Sequence, residues 1–215
     1  MTTFDPIIDK LVHDLVPKQS MTFRQLSIFV LISFITILVI ILSVMKIRPD
    51  YIYAFQSGTL IWKPSIFFLP ALSCLLLLAT SCLPGRTIKK IYFIPFIISA
   101  VFFTILFIQT LFNFTLSNFI SAVTDPKAPF CFGIIIIGGC IILAFLWNLW
   151  IKKSAPENAT HTGIYAGLLS GLIAATAYAF HCTQDSPFYI LFYYVLPVGI
   201  LGLIGKWFGK NRLYW

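Results

Sequence analysis

FCFGIIIIGGCIILAFLWNLW, residues 130–150, decides the fold. It runs without one Asp, Glu, Lys or Arg. At about 1.5 Å per residue a helix of this length matches the ~30 Å hydrocarbon core of a bilayer. Five further runs read the same way: Gln25–Met45, Ser65–Leu83, Ile91–Leu111, Gly163–Phe180 and Phe188–Trp207. The expected fold is therefore all-α, a polytopic membrane protein built as a six-helix transmembrane bundle. Composition agrees. Of 215 residues 59% are apolar and 10% charged, against roughly 45–50% and about 25% in an average soluble domain. Mean hydropathy is +0.94. A soluble fold of this length could not cover so much apolar surface, which excludes a soluble enzyme and a disordered chain.

Working outward, the chain divides into an N-terminal segment (1–24), the membrane domain (25–207) and a short tail (208–215). The first span follows more than 20 residues that include Asp5, Asp9 and Asp14, and no small-residue cleavage site comes after it. It reads as a retained span, not a signal peptide. Net charge is +8. With the N-terminus inside, the outer segments hold only Lys46, Arg48, Lys63 and Lys127, and the remaining Lys and Arg lie inside. That bias predicts N-in, C-in topology. No basic run exceeds two residues, so no direct nucleic-acid partner is expected. Trp62, Trp147, Trp150 and Trp207 suit the two interfaces.

Residues 1–24 are too short for a catalytic domain. They carry a helix signal: Asp5 as N-cap, Pro6 at the first position and Pro17 as the stop. Ile7, Ile8, Leu11 and Leu15 recur at helical spacing, with Asp9, Lys10, His13 and Asp14 opposite. So short an amphipathic helix is marginal alone and needs a partner. Either the membrane surface or a groove on a cytoplasmic protein would serve.

Depth sorts the five cysteines. Cys131 opens the fourth span and Cys182 follows the fifth, both on the outer edge. Cys140 lies deeper in the same helix as Cys131, Cys74 is mid-span and Cys82 is near the inner face. These three read as apolar filler. Cys131 and Cys182 alone share the oxidising side, within reach of disulfide distance. His181 adjoins the pair and Asp185 follows in the same loop, as accessory ligands if the thiols take a soft metal. Oxidation to a disulfide is the other reading. No cofactor is required; a transient metal ion at Cys131 and Cys182 is the one option.

Gly163, Gly167, Gly171, Ala175 and Ala179 recur every fourth residue, a stripe that admits close helix packing, within one bundle or between copies. Pro70, Pro95 and Pro197 read as kinks within spans. Ser170 in Gly167-Leu-Leu-Ser-Gly171 has no histidine at its depth on another helix, so a serine nucleophile is not expected, nor any enzyme. Gln109, Asn113 and Asn118 would be the polar residues of a passive channel, and the glycine stripe the docking face of a structural subunit.

The chain resembles the NrsF-type multi-pass anti-sigma factors of bacteria. The resemblance rests on Leu11-Val-His-Asp-Leu-Val-Pro17, Arg48-Pro-Asp50, Trp62-Lys63, Cys131 at the opening of the fourth span, and Ala155-Pro156. It continues through Ala166-Gly-Leu-Leu-Ser-Gly171, Tyr178-Ala-Phe-His-Cys182, Asp185-Ser-Pro187 and Arg212-Leu-Tyr-Trp215. It implies a six-span inner-membrane protein that sequesters an extracytoplasmic-function sigma factor, with the N-terminal segment as the holding element. It also implies that Cys131 and Cys182 sense a metal or an oxidant.

Overall fold

The computed structural model describes residues 22–83, 87–154, 156 and 158–212. The expected helix 6–16, with Ile7, Ile8, Leu11 and Leu15, lies outside the described residues. Helix is the only regular structure among those described. Six helical segments are long and apolar enough to cross a membrane.

Helix α1 (Phe23–Met45) opens on a capping box, in which the Thr22 N–H donates to Gln25 Oε1 at 2.9 Å. A short α2 (Tyr51–Gln56) follows. Gly58, at φ 72, then turns the chain into α3 (Thr59–Ser81) in a left-handed conformation that a side chain would strain. A 3-10 turn (Lys90–Phe93) leads into α4 (Ile94–Phe112), and α5 is Leu116–Val123. Next come α6 (Ala128–Leu149), α7 (Ala159–Ala179) and α8 (Pro187–Ile190). A π turn (Leu191–Val195) joins α8 to α9 (Leu196–Arg212).

Three sequence expectations change. The second span begins at Thr59 rather than Ser65, because Lys63 finds buried partners and need not stay in water. Pro95 sits in the first turn of α4, where its missing N–H costs nothing, so it starts the helix and does not kink it. The connection 113–127 contains α5. At Pro197 the missing N–H falls directly after the π turn, so the chain changes register there.

Helix α7 is the centre of the bundle, packed on α9, α3, α6 and α1. Gly163, Gly167 and Gly171 put it against α9 so closely that added methyl groups would strike the Gly205 carbonyl, the Leu201 carbonyl and Val198 in turn. Gly205 and Gly209 return the contact against Gly163 and Ala159. Ala175 continues the face, fully buried. Ser99 Oγ donates to the Ile66 carbonyl at 2.5 Å, and Ser73 Oγ accepts from the Phe96 N–H at 3.0 Å; these two bonds stitch α4 to α3. α1 and α4 otherwise turn most of their apolar surface outward.

Candidate functional site

At one end of the bundle the structure brings the thiols of Cys131 and Cys182 against each other. Cys131 lies in the first turn of α6 and Cys182 in the loop between α7 and α8. They are 1% and 5% exposed, and both are free thiols. Cys74, Cys82 and Cys140 are free and lie elsewhere, in α3, at its far end and along α6.

Tyrosines close the site. The Cys131 thiol donates to Tyr178 Oη at 3.1 Å and lies 2.7 Å from Tyr189 Oη. Tyr194, fully buried, faces the Cys182 thiol, and its hydroxyl has no partner in hydrogen-bond geometry. Positions five apart in an α-helix point about 140° apart. The π turn brings i and i+5 into line, so Tyr189 and Tyr194 reach the same thiol pair, their rings 6.4 Å apart. The hydrogen bond with the Cys131 thiol, helped by the nearby Lys63 charge, holds the Cys182 thiol below the usual thiol range, although burial pushes the other way.

An ion-pair network sits beside the thiols. Lys63 is 0% exposed, and its ammonium donates to the Cys182 carbonyl at 3.0 Å, to the Gln184 carbonyl and to Asp185 Oδ1 at 3.1 Å. Arg48, 2% exposed, donates from Nη2 to Asp185 Oδ2 at 3.1 Å, and from Nε and Nη2 to Asp50 at 2.9 and 2.8 Å. The Arg48 hydrogen bonds hold the Asp50 carboxyl below the usual carboxylate range. Paired charges with further hydrogen bonds are the form in which ions tolerate burial. Gln184 also donates to Asp125, so the Arg48–Asp50 turn, the start of α3 and the Asp125 turn all meet around the 182–185 loop.

The accessory ligands are occupied elsewhere. Asp185 serves Lys63 and Arg48, and His181 Nδ1 hydrogen-bonds the Lys46 carbonyl at 2.7 Å. Among the described residues no group of three His, Cys, Asp or Glu is placed to hold a metal ion. Two neighbouring thiols at one end of the bundle are suited to forming a disulfide.

Sequence reasoning missed Arg48 and Lys63 as site residues, and all three tyrosines. Arg48-Pro49-Asp50 carried a signal, since opposite charges two residues apart across a proline can close locally. Tyr178 and Tyr189 flank Cys182 on either side, but Tyr194 depends on the π turn, which the sequence does not announce. Ser170 Oγ donates to the Gly167 carbonyl at 2.8 Å, a small residue bonded to its own helix. Gln109 and Asn113 are exposed on and after α4 and do not line a path through the bundle, and the Asn118 side chain lies outside the described residues.

A helical bundle with six helices long and apolar enough to cross a membrane, and a polar thiol cluster at one end, fits a multi-span membrane protein. The chain belongs to the NrsF family, negative regulator of sigma F, which matches residues 11–215. It is 28% identical over 198 residues to the anti-sigma-F factor NrsF of Caulobacter vibrioides (strain NA1000 / CB15N), covering 89% of each chain. It is 35% identical over 65 residues to the probable anti-sigma-F factor NrsF of Azospira oryzae (strain ATCC BAA-33 / DSM 13638 / PS), covering 30% of each. No solved structure matches. Membership of this family makes the chain an anti-sigma factor, with a sigma factor as its partner.

Proposed function

We propose that the chain is a redox-gated anti-sigma factor of the bacterial inner membrane. Residues 1–24 face the cytoplasm and hold an extracytoplasmic-function sigma factor, with Ile7, Ile8, Leu11 and Leu15 as the contact face. Cys131 and Cys182 face the periplasm, where their oxidation releases the factor. The observation that carries this reading is the direct contact of the two thiols in a cluster whose neighbouring carboxylate and imidazole are already engaged. That environment favours a disulfide over a four-coordinate metal such as zinc, which needs more donors than two thiols supply.

With a peroxide as the oxidant the chemistry balances as follows. One thiol attacks the peroxide; an S–O bond forms, the O–O bond breaks, and a sulfenic acid and one water result. The second thiol attacks that sulfur, the S–S bond forms, the S–O bond breaks and a second water leaves. The pair gives up two electrons and hydrogen peroxide takes them. A disulfide biasing the two arrangements by ~3 kcal/mol changes their ratio about 150-fold, which lowers a 99% bound fraction to about 40%.

The test is recovery of the sigma factor with the full-length protein from membranes, beside a variant lacking residues 1–20, before and after peroxide. The factor should come down with the full protein, be lost with the truncation, and fall as the disulfide forms. A factor that stays bound with the disulfide fully formed would refute the gating, and one that binds the truncated chain equally well would refute the contact.

A further inference from the structure

Lys63 is a lysine buried in the second turn of a helix, and beyond the pull of its charge on the Cys182 thiol the chemistry proposed above gives it no task. An ammonium has three donors. All three go to one loop: the Cys182 carbonyl, the Gln184 carbonyl and the Asp185 carboxylate. The same cation lies 5.5 Å above the ring of Tyr194, the residue that faces the Cys182 thiol. Burying an ammonium is costly, so a chain that does so needs the cation at that place.

Its place relative to Cys182 is specific. The Cys182 N–H donates to the Tyr178 carbonyl at 3.2 Å, which fixes the peptide before the α-carbon. Lys63 fixes the peptide after it by holding the Cys182 carbonyl. With both flanking peptides pinned, the direction of the Cα–Cβ bond is set, and Sγ is held toward Cys131. A disulfide forms only within a narrow range of Cα separation and dihedral angle. Orientation of this kind raises the effective concentration of one thiol at the other.

We propose that Lys63 is the positioning residue of the cysteine pair, gathering the 182–185 loop so that Cys182 stays opposed to Cys131. This rests on the redox reading above. Lys63 touches neither sulfur in a bond-making role; it acts through the loop backbone.

The experiment uses the purified full chain in lipid nanodiscs, with no sigma factor present. The pair is equilibrated against reduced and oxidised dithiothreitol at one pH, and the oxidised fraction is read by maleimide gel shift. K63M should shift the midpoint ratio toward oxidised dithiothreitol by about 10-fold or more, because misplacing one reacting group costs that order. K63R, which keeps the charge and the donors, should stay within about 3-fold of the parent. Leu146→Ala, a core truncation far along α6, should lower the melting temperature without moving the midpoint. Should K63M fail to accumulate, K63Q replaces it with the same expectation. A folded K63M or K63Q with the parent midpoint overturns the proposal. If the parent itself forms no disulfide, the redox reading fails, and that outcome is distinct.

Discussion

Gly167→Ala adds one methyl group where α7 meets α9. The new carbon would strike the Leu201 carbonyl and stand 3.0 Å from Gly202 Cα. Ordinary carbon contacts are ~3.5–4.0 Å, so the two helices must part by at least ~0.5 Å along that face. The obstacle is backbone and cannot rotate away, so the overpacking cost belongs near the top of its range, about 3 kcal/mol. Alanine returns up to about 1 kcal/mol of helix propensity, for a net loss of ~2 kcal/mol. Gly199 is the internal control. A methyl group there meets nothing within 4 Å, so Gly199→Ala gains only the propensity, about 0.5–1 kcal/mol. The two variants should therefore differ by ~3 kcal/mol in opposite directions from the parent. The assay is unfolding in mixed micelles by titration with sodium dodecyl sulfate, followed by helicity and tryptophan fluorescence. If Gly167→Ala proves as stable as Gly199→Ala, the close approach of α7 and α9 is not as described.

Cys131→Ser and Cys182→Ser should each retain the sigma factor and lose its release by peroxide, read by co-purification; release unchanged in either variant would remove the thiol pair from the mechanism. Arg48→Gln leaves Asp50 without its guanidinium and Asp185 with Lys63 alone. It should lower stability by about 1–2 kcal/mol, less than a fully buried pair because both carboxylates are partly exposed. The Asp50 carboxyl titrates below its ordinary value in the folded chain, so its stabilisation is present above pH ~4 and is lost as pH falls through the lower folded value. Melting temperature between pH 6 and pH 2 should show that acid limb in the parent and a weaker one in Arg48→Gln.

The spans were legible because each is a continuous apolar run, and a bilayer requires little else of a helix. Depth along those runs also separated Cys131 and Cys182 from the other three cysteines. The start of α3 was not legible, because Trp62-Lys63-Pro64 looks like a surface boundary until Asp185 and two carbonyls arrive from more than a hundred residues away. Arg48 was counted as an outer positive charge for the same reason. A buried ion needs tertiary partners, and nothing local in the sequence names them. Pro95 reads identically as a kink or a first-turn residue unless the helix start is known. The tyrosines carried no site signal of their own, and only the π turn puts Tyr189 and Tyr194 on one side.

Helix α1 buries only Leu26 and Ile41 of its 23 residues. Phe29, Val30, Phe34, Ile37 and Leu38 are partly buried and pack against the core, and most of the remaining surface faces outward. Its phase is set by these contacts together with the polar ties at its thiol end, Arg48 to Asp185 and the Lys46 carbonyl to His181. A straight helix of this length carries a rotation from one end to the other, about 35 Å away, without bending. α1 is thus a shaft held at two bearings, Leu26 in the core near one end and the polar ties at the other.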